Sequence, residues 1–218
     1  MSGMDYQSFF EAFGGSARTK NTGLGNRRHC ELPHESGLPK EFIRLDPWEM
    51  EYLFLVARRA KHGILEVGRF NGGSCFMMAC AASDVPIYSI DIAPQDDDML
   101  RKLFVQHQLG ANVQLIVGDS HERYPQVGIV DVAFIDGDHS YEGCMGDLVN
   151  WYDHLASGGH LILHDSYPGP WQVQDAILDF MKQHPELESV QSPYIGAMHW
   201  NYPAGSIAHL IKRPTGRV

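Results

Sequence analysis

The sequence predicts an α/β fold in which a mostly parallel sheet is covered by helices on both faces. Two observations carry this. Short apolar runs recur along the chain, separated by stretches with helical spacing, as expected of parallel strands buried on both sides. The terminal portion breaks that alternation: its last two runs flank a loop containing Pro193 and Pro203 with no crossover helix, so they pair antiparallel at the sheet edge.

Each element has its own signal. From Met1 to about Leu45 the chain is rich in Gly, Ser, Asn and Pro, and only Tyr6 to Phe13 has the spacing of a short amphipathic helix. Residues 1–45 therefore read as an extension outside the core, a lid or dimer arm, and residues 46–218 as the single domain. Asp46-Pro47-Trp48-Glu49 supplies an N-cap, a proline at the first helical position and a glutamate at the third, opening a helix through about Ala60. Its Trp48, Leu53, Leu55 and Val56 are expected to pack on the sheet. Strands follow at Ile64–Val67, Ile87–Asp91, Val113–Val117, Val130–Ile135 and His160–Leu163. Helices are expected at Ser74–Ala82, Asp98–Leu109, Tyr141–Leu155 and Gln172–Gln183, with Leu187–Val190 and Ile207–Lys212 as the final strands. No internal repeat or low-complexity tract interrupts the pattern.

At 218 residues, 44% hydrophobic, the chain can bury one sizeable core but hardly two. Its 27 acidic residues outnumber 17 basic ones, which disfavours nucleic acid or an anionic membrane as partner and leaves a small molecule. Ser16 to Cys30, with Arg18, Lys20, Arg27 and Arg28 and no acid, is a local exception suited to an anion. Cys30, Cys75, Cys80 and Cys144 lack C-x-x-C spacing and read as reduced thiols. The opening residues lack the features of a secretory signal, and no run approaches the ~20 apolar residues of a membrane span, so the expectation is a cytoplasmic protein.

Glu66-Val67-Gly68-Arg69-Phe70-Asn71-Gly72-Gly73-Ser74 joins the first strand to its helix, where glycines let the backbone turn tightly and approach a ligand. Asp91 ends the second strand, where a carboxylate can accept hydrogen bonds from a ribose, and Gly118-Asp119-Ser120 ends the third. A dinucleotide fingerprint would place its second glycine where Arg69-Phe70 stand, so a pyrophosphate would meet side chains. Glu66 puts a carboxylate before the turn, which suits the cationic methionyl end of S-adenosylmethionine and would repel a diphosphate.

Glu66-Val-Gly68-x-x-x-Gly72-Gly73-Ser74, Asp91, Gly118-Asp119 and Asp136-Gly-Asp-His139 resemble the successive motifs of class I S-adenosylmethionine-dependent methyltransferases, over roughly residues 46 to 212. The resemblance implies a Rossmann-like, seven-stranded sheet of order 3-2-1-4-5-7-6 with strand 7 antiparallel. It also implies that Gly68 and Gly72 border the methionine part, Asp91 the ribose hydroxyls and Asp119 the adenine amine. The candidate cofactor-binding set is Glu66, Gly68, Phe70, Asn71, Gly72, Ser74, Asp91, Ile92, Asp119, Ser120 and Asp136.

Asp136-Gly137-Asp138-His139 follows the fourth strand and His164-Asp165 the fifth, two strand ends that flank the ligand crevice of a doubly wound sheet. Asp136 and Asp165 can share a hard divalent cation there. A plainer role is also open: a polar turn, with Asp138 or Ser140 capping the helix near Tyr141. Phe134-Ile-Asp-Gly-Asp-His-Ser-Tyr-Glu-Gly and Gly158-Gly159-His-Leu-Ile-Leu-His164-Asp165 are similar to the methyltransferases that include metal-dependent O-methyltransferases of natural-product sugars and antibiotics. That similarity implies Asp136, His164 and Asp165 as metal ligands and His139, with Asp136, at the catalytic position, His139 as a base whose pKa a nearby cation depresses. An acid is common where His164 stands, and its nitrogen adds Mn²⁺, Fe²⁺ and Zn²⁺ to Mg²⁺ as candidates.

The reading from sequence is methyl transfer from S-adenosylmethionine to a hydroxyl on a small-molecule acceptor, assisted by a divalent metal such as Mg²⁺ or Mn²⁺. An N-terminal dimer arm would make the protein a homo-oligomer. The rivals are an NAD-dependent oxidoreductase and a nucleoside-binding module without catalysis. Tyr167-Pro168-Gly169-Pro170-Trp171 is a candidate wall of the acceptor pocket, and His199-Trp200-Asn201-Tyr202 a candidate substrate or subunit contact.

Overall fold

The computed structural model describes residues 4–13, 42–45, 47–166, 170–190 and 207–214. Seven strands form one sheet: β1 (Ile64–Val67), β2 (Ile87–Asp91), β3 (Val113–Val117), β4 (Val130–Ile135), β5 (Leu155–Leu163), β6 (Leu187–Ser189) and β7 (Ala208–Lys212). Six α-helices accompany them: α1 (Tyr6–Phe13), α2 (Pro47–Ala57), α3 (Gly73–Ala81), α4 (Asp97–Gln106), α5 (Tyr141–Trp151) and α6 (Val173–Gln183). The strand order is β3-β2-β1-β4-β5-β7-β6, parallel from β3 through β5, with β7 antiparallel to both of its neighbours. This is the expected Rossmann-like α/β architecture, including the reversed terminal pair.

All four residues of β1 are buried, and β4 is nearly so, because each lies between two parallel neighbours with helices on both faces. One face packs on α1, α2 and α3 through Phe9, Met50, Leu53, Phe54 and Phe76. The other packs on α5 and α6 through Leu148, Trp151, Ala176 and Phe180. A large apolar side chain fully buried in this way contributes about 1.5–3 kcal/mol.

Several expectations are revised by packing. Phe9, Phe42, Ile43 and Leu45 are at most 3% exposed, so these four residues of the 1–45 segment belong to the core. In α2, Leu53 and Val56 are buried as expected but Leu55 faces solvent. The Asp46 cap and the Trp48 side chain lie outside the described residues, as do Ser16 to Cys30, residues 167–169 and His199 to Tyr202. Helix α5 stops at Trp151, a 3₁₀ turn covers Tyr152–His154, and β5 starts at Leu155, five residues before its expected start. Pairing of Leu155 with Val130 overrides the turn-like Ala-Ser-Gly-Gly, and a register shift between Val130 and Val132 absorbs the irregularity beside Gly158, whose φ is +80°. Ser140, rather than Asp138, caps α5 by accepting from the Gly143 N–H at 3.0 Å. Among the described residues no helix is long and apolar enough to cross a membrane.

Candidate active site

The β1–α3 loop turns at Gly68, whose φ of +84° already favours glycine, and a Cβ there would stand 2.1 Å from the Asp136 carbonyl oxygen. The loop thus touches the end of β4 backbone to backbone. Asp91, at the end of β2, fastens the next stretch: its Oδ2 accepts from the Arg69 N–H at 2.9 Å and the Phe70 N–H at 2.8 Å, and its Oδ1 from the Ala93 N–H at 2.7 Å. Two donors fill Oδ2, which leaves acceptor capacity on Oδ1.

Arg69 turns away from the cavity rather than into it. Its side chain is fully buried: Nε and Nη2 donate to the two Asp97 carboxylate oxygens at 2.7 Å each, and Nη1 to the carbonyls of Ser89 at 2.8 Å and Ile116 at 2.9 Å. One guanidinium therefore ties the loop to β2, β3 and the first turn of α4. Glu66 is also withdrawn. It is fully buried and accepts from Ser74 Oγ at 2.5 Å and from Ser89 Oγ, so its carboxylate braces the loop instead of facing a ligand, contrary to the direct methionyl contact expected of it. Burial pushes its pKa up to about 7 against the two serine bonds and the Arg69 charge.

Beyond the loop the ends of β1 to β5 open onto a cavity of about 820 Å³, within the usual span of about 300–1,000 Å³ for small-molecule sites. Of the candidate site residues, Gly68, Phe70, Asn71, Ser74, Asp91, Ile92, Asp119, Ser120, Asp136, His139, His164 and Asp165 line it, whereas Glu66 and Gly72 do not. Gly72 (φ +83°) sits behind the lining, where a Cβ would meet Leu100 at 2.4 Å. Ile92 is 71% exposed, an apolar surface at the end of β2 that a flat ring can cover. Ser120 is committed to α5, donating from Oγ to Asp147 Oδ1 at 2.5 Å. Asp147, itself buried, has its pKa raised to about 6 by burial.

On the β4–β5 side, two acids and two histidines meet. His139 Nε2 lies 3.3 Å from Asp136 Oδ1 and 3.2 Å from Asp165 Oδ2, yet it is enclosed and aligned for a hydrogen bond with neither. Asp136, His139 and Asp165 each offer a ligand atom within 4.8 Å of the others. The enclosed, unsatisfied ring nitrogen between two carboxylates fits a divalent cation bound by mixed nitrogen and oxygen donors, a set suited to Mn²⁺, Fe²⁺ or Zn²⁺. Asp165 holds its place in the left-handed region, φ +51°, a conformation costly for a residue with a side chain.

The expected ligand His164 stands behind this group. Its Nδ1 is 3.2 Å from Asp136 Oδ1 and its Nε2 is 3.2 Å from Glu49 Oε2, so both ring nitrogens are engaged. Burial opposes its protonation, but Asp136, Asp165 and Glu49 together hold its pKa well above the ordinary range. His139 is shifted in the same direction. The Asp136 and Asp165 carboxylates push it up to about 9, against burial, so without a cation it carries its proton at neutral pH. In this geometry His139 joins Asp136 and Asp165 in one group of potential ligand atoms, and His164 stands behind it.

Other residues at the site escaped the sequence reading. Glu49, 5% exposed on α2, reaches His164 across 115 positions of chain. Phe42, Arg44 and Leu45 line the cavity from the segment read as an extension. Trp171 does form a wall, its ring 5.1 Å from that of His139 and 42% exposed. The capping-box pattern pointed to Glu49 as a helix residue, but nothing local marked its partner.

A methyltransferase-domain family model matches residues 65–166, the segment that supplies the loop, Asp91, Asp119, Asp136 and Asp165. The uncharacterized protein R132 of Acanthamoeba polyphaga mimivirus is 29% identical over 119 residues, which are 50% of this chain and 54% of that protein; the match spans about half the length of that relative. Among solved structures, the O-methyltransferase NovP superposes with a TM-score of 0.63 at 15% identity, covering 79% of this chain and 83% of its own. The Podospora anserina methyltransferase PaMTH1, bound to S-adenosylhomocysteine, gives a TM-score of 0.58 at 17% identity, covering 76% and 78%. At these identities the likeness is one of fold. Together with the match over residues 65–166 it upholds the class I methyltransferase resemblance.

Proposed function

We propose that this chain transfers the methyl group of S-adenosylmethionine to a hydroxyl oxygen of a small-molecule acceptor, with a divalent cation held by Asp136, His139 and Asp165. The observation that carries the proposal is the meeting, in one cavity, of the Asp91-fastened loop and the carboxylate–histidine group at the ends of β4 and β5. O-methylation is supported by analogy with NovP, an O-methyltransferase of the same fold. The acidic balance of the chain is consistent with a partner that is neither nucleic acid nor membrane.

Bound S-adenosylmethionine supplies an electrophilic methyl, and a divalent cation lowers the pKa of an acceptor hydroxyl. The chain's own contribution is position. Asp91 Oδ1 retains an acceptor for a ribose hydroxyl, and Ile92 offers a face for the adenine. Asp119 accepts from the His121 N–H at 2.9 Å, and a second oxygen stays available for the adenine amine. Asp136 and Asp165 fix the acceptor end, Glu49 and His164 hold Asp136 in place, and Trp171 packs its ring beside that of His139.

Calorimetric titration of S-adenosylhomocysteine and NAD, with and without Mn²⁺, tests the reading. Micromolar binding of S-adenosylhomocysteine, weakened by Asp91→Ala, is expected, followed by Mn²⁺-dependent methylation within a panel of hydroxylated compounds. Binding of NAD alone would replace the proposal with an oxidoreductase. Cofactor binding without turnover on any acceptor would leave the nucleoside-binding module.

A further inference from the structure

The cavity is lined by acids, and this poses a charge problem. Asp91, Asp119, Asp136, Asp138 and Asp165 all face it, while Arg44 and Arg69 are the only lysine or arginine residues among the described lining. Arg69 is committed, since the four hydrogen bonds of its buried guanidinium lead to Asp97 and to the Ser89 and Ile116 carbonyls. Arg44 is not. It is exposed, forms no ion pair among the described residues, and rests with its guanidinium carbon 5.1 Å above the Phe70 ring, on the loop that would border the methionyl end of the cofactor.

Its location is held from below. The Phe42 carbonyl oxygen lies so close to the start of α3 that a Cβ on Gly73 would stand 2.1 Å from it and 2.7 Å from Ile43 Cα. Phe42, Ile43 and Leu45 are buried in the core on either side of Arg44. The backbone of residues 42–45 is therefore clamped to the cofactor loop, and the one side chain of the four that faces outward carries an uncommitted cation over Phe70. Stacking on an aromatic face leaves the edge donors of a guanidinium free for a planar anion.

We infer that Arg44 is a carboxylate-reading residue, which pairs with the α-carboxylate of the methionyl end of the cofactor. This rests on the proposed S-adenosylmethionine site. The cofactor brings a single carboxylate into a cavity of five aspartates; His139 and His164 already face Asp136, Asp165 and Glu49, and Arg44 is the lining arginine outside any such group. A bidentate guanidinium–carboxylate pair at a partly exposed site gives about a tenfold gain in affinity.

The experiment compares two ligands that differ only in that carboxylate: S-adenosylhomocysteine and its decarboxylated analogue, which keeps the amine. Both are titrated calorimetrically into the unsubstituted chain, Arg44→Ala and Arg44→Lys, with thermal unfolding as a control for folding. The unsubstituted chain is expected to prefer S-adenosylhomocysteine about tenfold, Arg44→Ala to lose that preference while binding the decarboxylated ligand within twofold of normal, and Arg44→Lys to keep part of it. Equal weakening of both ligands, or no weakening of either, overturns the assignment. In the latter case a selective loss of acceptor affinity would show that the cation reads an anionic acceptor instead. If the unsubstituted chain binds neither ligand, the cofactor reading itself fails and takes this assignment with it.

Discussion

Replacing Arg69 by methionine removes the strut between the cofactor loop and the sheet. The side chain makes four donor contacts and is fully shielded from water, while Asp97 is 17% exposed. Breaking a buried pair by deleting one partner costs about 3–5 kcal/mol, mostly because the other charge is stranded. Asp97 can recover part of its hydration, and methionine fills part of the volume, which points to the lower half of that range, about 3–4 kcal/mol. For a chain of this length each kcal/mol moves Tm by about 2–4 °C, so Arg69→Met should lower Tm by roughly 6–16 °C. Asp97→Asn strands the opposite charge, and the double variant should lose about 2 kcal/mol less than the sum of the two singles. Calorimetric melting of the four proteins measures the cycle. A fall below 3 °C for Arg69→Met, or strict additivity with Asp97→Asn, would refute the strut.

Other outcomes follow from the same geometry. Gly73→Ala drives a Cβ into the Phe42 carbonyl, so residues 42–45 must lift; about 1–3 kcal/mol of stability and roughly tenfold of S-adenosylhomocysteine affinity should be lost together, in melting and titration experiments. Asp165→Asn removes one charged ligand from the carboxylate–histidine group and should weaken Mn²⁺ binding by at least about tenfold, read by calorimetry on the cofactor-free protein, with little change in S-adenosylhomocysteine affinity. Glu66 holds a proton in the folded chain up to about pH 7 that the unfolded chain releases near 4.5, so its contribution is largest below that window and stability falls as pH rises through it, by about 3 kcal/mol in all. Glu66→Gln should flatten Tm between about pH 5 and 8; an unchanged slope would show that some other group titrates there.

The sheet was legible because its strands are short, apolar and bounded by turns, and the reversed terminal pair announced itself by the absence of a crossover helix. Boundaries failed where tertiary pairing outweighed local preference. Ala156 to Gly159 look like a turn, yet β5 runs through them because Leu155 pairs with Val130. Helix α4 ends at Gln106 rather than Leu109, since Gln108 and Gly110 both take positive φ there. At the site, Asp91, Asp119, Asp136 and Asp165 could be read because each closes a strand, and strand ends share one crevice in this topology. Glu49 and Arg44 could not, because their contacts are made across the fold and leave no spacing to detect. Arg69 and Glu66 were noticed for the right position and given the wrong direction: both look outward in a linear motif and are turned inward by partners on β2, β3, α3 and α4.

The clamp of residues 42–45 on Gly73 makes two equilibria into one. If the segment must be seated for the cavity to be complete, a ligand that fills the cavity favours the seated form, and seating raises affinity by the same factor. Proteolytic susceptibility of the peptide bonds around Arg44 then becomes a gauge of occupancy. A protease that cuts after arginine would report saturation of the cavity through its wall at Arg44, with no need to know the acceptor.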